Sequence, residues 1–166
     1  MSVPLNARDL MQIRVHSVLP EMPLSELERE FLNQRVSGFP VVENGQLVGV
    51  VSRADIVRQL LVERRLAQST SDFYWDRVGF HEEPAESIQQ LASSVGQRIE
   101  DLRVTDLMSR HLVVLCADDS VEVVAQKFLE HHIHRAPVVD EGRLVGIIST
   151  LDLARLFADH RVKILR

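Results

Sequence analysis

The sequence predicts an α/β fold assembled from two copies of one unit, each reading helix, strand, turn, strand, helix, with a partly helical insertion between them. Three observations carry this. Asp9-Leu10-Met11, Pro40-Val41-Val42, Leu47-Val48-Gly49 and Ser52-x-x-Asp55 return in the same order as Asp106-Leu107-Met108, Pro137-Val138-Val139, Leu144-Val145-Gly146 and Ser149-x-x-Asp152. Every pair is 97 positions apart, so the copies align without a gap, and 15 of the 50 positions from 9 to 58 are identical to their counterparts from 106 to 155. Within each copy, apolar residues fall first at helical spacing and then in short runs punctuated by proline and glycine.

Leu24, Leu27, Phe31 and Leu32 define the first helix, and Val121, Val124, Phe128 and Leu129 its counterpart. Ser25 and Ser120 lie near the starts of these helices, where a hydroxyl accepts a proton from an otherwise unpaired amide. Pro40 and Pro137 end helical geometry and open the strands. Asn44-Gly45 is a strong two-residue hairpin signal and Glu141-Gly142 a weaker one. The closing helix of each copy starts near Arg53 and Thr150, with Ile56, Val57, Leu60, Leu61 and Leu153, Leu156, Phe157 on its apolar side. A sheet this small cannot bury its face alone, so the two copies are expected to pack together.

Residues 63–101 belong to neither copy. They begin with a polar, turn-like stretch, Gln68-Ser69-Thr70-Ser71-Asp72, followed by Phe73, Tyr74, Trp75 and Phe80, four aromatic residues within eight positions. Pro84 then precedes Ile88, Leu91, Val95 and Ile99 at helical spacing. The aromatics read either as a clamp holding the insertion onto the repeats or as a lid or dimer contact.

Composition narrows the function classes. Nineteen basic residues against 24 acidic ones give a net charge of −5, which argues against a protein that neutralises a nucleic-acid backbone. No apolar run approaches the ~18 residues of a membrane span, and no signal-peptide pattern is visible, so a soluble cytoplasmic chain with neither nucleic-acid nor membrane partners is expected. Cys116 has no second cysteine to pair with, and its place in the run Leu112-Val113-Val114-Leu115-Cys116 predicts a packed core thiol. No nucleophile elbow, phosphate-binding loop, zinc motif or paired catalytic carboxylates occur. Asp118-Asp119 and Glu82-Glu83 read as solvated loop charges, so the chain is not expected to be an enzyme.

Two units of the form Asp-Leu-Met, helix, Pro-Val-Val-x-x-Gly-x-Leu-Val-Gly, two β-branched residues, Ser-x-x-Asp resemble a pair of CBS domains (cystathionine beta-synthase domains, paired as a Bateman module). The resemblance places the first domain at 5–62, the insertion at 63–101 and the second domain at 102–160. It implies two βαββα units in pseudo-twofold arrangement. It also implies clefts between the repeats that bind an adenosyl nucleotide (AMP, ADP, ATP or S-adenosylmethionine) with no metal required. The function implied is regulatory: ligand sensing, followed by a conformational or oligomeric change that signals to an effector protein in trans. A homodimer formed through helices is implied as well, with Leu60-Leu61 and Leu156-Phe157 as candidate faces.

Carried over by position, the resemblance assigns Val36, Ser37, Gly38, Val50, Ser52, Arg53 and Asp55 to one ligand site, and Ile133, His134, Arg135, Ile147, Ser149, Thr150 and Asp152 to the other. The chemistry of these residues suits the assignment. A helix start after Ser52 or Ser149 presents unpaired N–H groups and the positive dipole end to a phosphate. A carboxylate one turn into the helix can accept both hydroxyl protons of a ribose. The same Ser-x-x-Asp tetrad is also a helix-capping box that requires no ligand, and the two roles can coexist.

His134-Arg135-Ala136-Pro137 resembles the His-Arg pair with which the gamma subunit of AMP-activated kinase reaches nucleotide phosphates. A guanidinium grips phosphate bidentately, and an imidazole adds a donor whose charge depends on pH. The first copy has Ser37-Gly38 there, with Arg53 as possible compensation. The two sites are therefore expected to be unequal, the Asp152 site being better suited to a phosphorylated ligand. His131, His132 and His134 give only a weak metal signal and read as helix termination or phosphate binding. The alternative function is a dimerisation scaffold of the same fold without a nucleotide; the survival of both Ser-x-x-Asp tetrads speaks against it.

Overall fold

The computed structural model describes residues 5–63, 65, 93 and 96–159. In chain order these form α1 (Ala7–Leu10), α2 (Leu24–Gln34), β1 (Gly38–Glu43) and β2 (Gln46–Ser52), then α3 over 53–63 and α4 over 96–101. There follow α5 (Val104–Leu107), β3 (Leu115–Cys116), α6 (Val121–Glu130), β4 (Arg135–Asp140), β5 (Arg143–Ser149) and α7 (Thr150–Ala158). The fold is mixed α/β, as expected, with a five-stranded sheet in the order β1-β2-β5-β4-β3. β4 and β5 run antiparallel from Arg135↔Ser149 to Asp140↔Arg143, with an irregularity between Val138 and Val139. β3 lies parallel to β4, and β2 meets β5 antiparallel at Gln46↔Arg143.

The chain's contacts divide it into two compact units that interleave the repeats. One gathers the described residues of Met1–Ser17, Val42–Gly49 and Arg110–Arg166; the other gathers those of Val18–Val41 and Val50–Ser109. The short segment opening each repeat thus belongs with the body of the other repeat.

In the first unit, Ala7 and Arg8 donate their N–H groups to the carbonyls of Asp119 and Ala117, at 2.8 and 2.9 Å. The core there is Ala7, Leu115, Ala117, Val124, Phe128, Ala136, Val138 and Ile148, with Leu10 and Met11 packed against it. The second unit repeats the device: Val104 donates to the Met22 carbonyl at 3.0 Å, and Leu107 and Met108 are buried. The repeated Asp-Leu-Met is explained by these contacts. Asp9 and Asp106 accept the N–H groups of Asn6 and Arg103, at 3.0 and 2.9 Å, closing helices of four residues that could not persist alone. The Leu and Met side chains then anchor the segment. Gly146 is where this packing is tightest, since a Cβ there would lie 2.6 Å from Met11 Sδ and 2.8 Å from Met11 Cβ.

Both hairpins turn through paired left-handed residues, Asn44 (φ 50°) with Gly45 (80°) and Glu141 (48°) with Gly142 (79°), so the weaker Glu-Gly signal produces the same turn as Asn-Gly. Ser120 caps α6, its Oγ accepting the Val123 N–H at 3.4 Å. Ser25 does not cap α2: Pro23, 97 positions before Ser120, stands at the cap and Leu24 opens the helix.

Several residues read as apolar faces are turned outward. Leu24, Leu27 and Phe31 are buried, but Leu32 and Leu129 lie some 100° further round their helices and are about three-quarters exposed. On the closing helices Ile56 and Leu156 are buried, whereas Val57, Leu60, Leu61 and Phe157 are exposed. Cys116 is exposed rather than packed, because strand alternation turns Leu115 into the core and its neighbour out. Phe73, Tyr74, Trp75, Phe80, Pro84, Ile88, Leu91, Val95 and the ending 160–166 lie outside the described residues; Ile99 falls within α4. Among the described residues, no helix is long and apolar enough to cross a membrane.

Candidate functional site

The two candidate sites are built alike, one in each unit. β2 ends at Ser52 and β5 at Ser149, and a helix begins on the next residue. The aspartate is the third residue of that helix, close enough for its carboxylate to fold back over the helix start. In both copies one oxygen, Oδ2, accepts the serine N–H at 2.8 Å and the serine hydroxyl at 2.6 Å. The capping contacts anticipated from the tetrad therefore form, and they engage one carboxylate oxygen.

The second oxygen distinguishes the copies. Asp55 Oδ1 accepts from Arg58 Nη1 at 2.8 Å. Asp152 Oδ1 accepts from Arg155 Nη1 at 3.4 Å and from the side-chain amide of Gln12 at 3.1 Å. Asp152 is 5% exposed, and that burial by itself raises its carboxyl pKa. The hydroxyl of Ser149, the Gln12 amide, the Ser149 N–H and the charge of Arg155 together outweigh it, holding the group below the ordinary aspartate value. Asp152 is an anion at neutral pH.

The residues preceding β1 and β4 lie beside the helix starts. Thr150 donates its N–H to the His134 carbonyl at 3.0 Å, and Arg135 pairs with Ser149 across the sheet. His134 and Arg135 are exposed; Ile133 is half-buried against the core. Ile147 exchanges backbone hydrogen bonds with Gln12 at 2.9 and 3.1 Å. In the other unit Arg53 donates its N–H to the Ser37 carbonyl at 3.1 Å, and Val50 exchanges bonds with Ser109 at 3.0 and 2.9 Å. A Cβ on Gly38 would lie 3.1 Å from the Val51 carbonyl oxygen, so the chain passes close by where the other copy carries Arg135.

The structure thus brings Ile147, Ser149, Thr150 and Asp152 together with the backbone of His134 and Arg135, and does the same for Val50, Ser52, Arg53 and Asp55 with Ser37 and Gly38. Val36 is half-buried just ahead of β1. The Arg53 guanidinium donates to the Phe31 carbonyl at 2.8 Å and lies over the Phe31 ring, 5.6 Å from its centroid. His131 caps α6 and His132 takes a left-handed conformation (φ 51°) beyond it, so the histidine run terminates the helix. Among the described residues, no group of three or more metal-ligating side chains comes together.

Two features of the sites were not anticipated from the sequence. Arg58 and Arg155 follow the aspartates by three residues, a spacing at which helical side chains meet, and they are identical in the two copies, a signal that could have found them. Gln12 follows the repeated Asp-Leu-Met directly, but nothing local links it to a residue 140 positions away.

The model of the family described as CBS domain matches residues 7–62 and 104–159. Protein MJ1426 of Methanocaldococcus jannaschii is 28% identical over 138 residues, 82% of each chain. A crystal structure of CBSX2 in complex with AMP is similar over 95% of this chain and 98% of that one, with 25% identity and a TM-score of 0.66. The CBS domain pair of protein MJ0100, solved with 5′-methylthioadenosine and S-adenosyl-L-methionine, shares the fold at 19% identity and a TM-score of 0.59, covering 95% and 99%.

Proposed function

The chain belongs to the CBS domain family, and from that premise we propose that it is a regulatory module, not an enzyme, which senses an adenosine-containing nucleotide and passes the signal to a protein in trans. AMP, ADP, ATP and S-adenosylmethionine form the ligand class, bound without a metal. The observation that carries this reading is the Asp152 carboxylate, buried and ionised, with one oxygen fixed at a helix start and the other held by surface side chains, which a ribose diol could replace. His134, Arg135 and Thr150 would receive the phosphates, with Ile133 and Ile147 supplying apolar contact to the base. The same roles fall in the other unit to Val36, Ser37, Gly38, Val50, Ser52, Arg53 and Asp55, where fewer free cations favour a less charged ligand. Relatives found with AMP and with S-adenosyl-L-methionine support the adenosyl class.

A ligand acts only through different affinities for two arrangements of the protein, typically a coupling of about 1–3 kcal/mol. A homodimer is the natural second component: Val57, Leu60 and Leu61 on α3 and Phe157 on α7 are exposed apolar residues. The exposed, unpaired Cys116 suits a reducing compartment and hence the cytoplasm.

A thermal-shift series on protein shown to be ligand-free tests the reading. At about a hundred times its dissociation constant, one adenosyl compound should raise the midpoint by roughly 5–10 °C while GTP does not. A flat series across all of them favours the dimerisation scaffold instead, a role for which the capping contacts of Ser52 with Asp55 and Ser149 with Asp152 suffice.

A further inference from the structure

We infer that Gln12 is a positioning and selectivity residue of the Asp152 site: its amide holds the carboxylate oxygen that the vicinal hydroxyls of a ligand would take, so that binding of a ribose-containing ligand, the reading on which this rests, exchanges Gln12 for the diol. A carboxylate offers about four acceptor positions. At Asp152 all are in use: Ser149 N–H and Oγ on Oδ2, Gln12 Nε2 and Arg155 Nη1 on Oδ1. A diol that donates both hydroxyls must therefore displace two donors, and the two on Oδ1 are Gln12 and Arg155.

The Ser149 contacts, at 2.8 and 2.6 Å, close the start of α7 and cannot be given up without fraying it. Arg155 stands one turn further along the same helix, at 3.4 Å. Gln12 alone comes from a distant part of the chain, and its side chain is exposed while its backbone is held to Ile147 by two hydrogen bonds. Its amide can leave the carboxylate with no loss of secondary structure, and the segment that carries it stays in place. The corresponding position in the other unit is Ser109, whose backbone bridges Val50 in the same way. The two sites therefore meet a diol with different side chains at this point.

The test is calorimetric titration of AMP and of 2′,3′-dideoxy-AMP, which lacks both hydroxyls, into wild type, Gln12→Ala and Gln12→Met. The methionine variant keeps the length of the side chain and loses its donor. Exchange of one hydrogen bond predicts AMP binding about three- to tenfold tighter in both variants, with the affinity for the dideoxy compound unchanged. In 15N-labelled wild type, the Gln12 side-chain amide signals should move on adding AMP and stay in place on adding the dideoxy compound. AMP affinity that falls or stays constant in both variants, or an equal gain for the two ligands, overturns the role of Gln12 and leaves the adenosyl reading standing. Failure of AMP to bind wild type and both variants overturns the two together.

Discussion

Ser149 gives both its backbone N–H and its hydroxyl proton to the same oxygen of Asp152, at 2.8 and 2.6 Å, and Ser52 does the same for Asp55 at the same distances. The repeated tetrad thus has one invariant half, which starts a helix, and one variable half, which depends on what surrounds the second oxygen. One oxygen of the side chain closes the helix start, and the other is the one that the proposed ligand would take.

Loss of the cap should be felt in both units. Asp55→Ala and Asp152→Ala are each expected to lower stability by about 1 kcal/mol, with Asp152→Ala costing the more. The second variant loses contacts to Gln12 and Arg155 as well as to Ser149, whereas the first loses Arg58 and Ser52, and the Asp152 side chain is the more buried of the two, 5% exposed against 12%. Urea denaturation of the two variants beside wild type measures the difference. A larger loss at Asp55 would refute this ordering.

The state of Asp152 makes its contribution depend on pH. Its folded pKa lies below the ordinary value of 3.8, so folding favours the anion. The stabilisation is complete above that value and is lost as pH falls through the lowered folded pKa. The stability gap between wild type and Asp152→Asn should therefore be constant above about pH 5 and narrow in more acidic solution. Denaturation series at several pH values check this. A gap that widens on acidification would mean that the folded state holds the neutral acid.

Packing of the opening segment can be tested at its closest approach. A Cβ at Gly146 would meet Met11 at its Cβ and Cγ as well as at the mobile sulfur, so a simple rotamer change cannot relieve the clash. Gly146→Ala should cost about 1–3 kcal/mol, and much less in a Met11→Gly background, which removes all three of the atoms it would meet. Equal costs in the two backgrounds would show that residue 11 does not pack there.

Glu141 sits at φ 48° where the other hairpin has asparagine at 50°. Glutamate has no local hydrogen bond to offset that conformation, whereas asparagine tolerates it. Glu141→Asn should raise stability by about 0.5–1 kcal/mol, read from the denaturation midpoint. A neutral or negative effect would indicate that the turn is set by the strands and not by its own residues.

Much of this architecture was legible because it is written twice. Both hairpins and both capping aspartates follow from local rules that apply at offsets of three or four residues, whereas the short helices at Asp-Leu-Met emerged only in the structure. What escaped reading depends on distance or on orientation. Gln12 reaches Asp152 across 140 positions, through an opening segment that joins the body of the other repeat. Cys116 lies in an apolar run and Leu32 and Leu129 follow a helical apolar pattern, yet each falls one position past the last buried residue of its element, where composition alone does not reveal the turn outward. Arg53 follows the motif serine and was read toward phosphate; its engagement with Phe31 depends on α2 lying beside it.

In the proposed reading the Asp152 unit carries the better phosphorylated-ligand site, because His134 and Arg135 stand beside it where the other copy has Ser37 and Gly38. The most direct test is titration of AMP into ligand-free wild type, Asp152→Ala and Asp55→Ala, followed by calorimetry. The account predicts that Asp152→Ala weakens AMP binding by about tenfold or more while Asp55→Ala changes it much less. Equal losses in the two variants, or no binding by wild type, would contradict it.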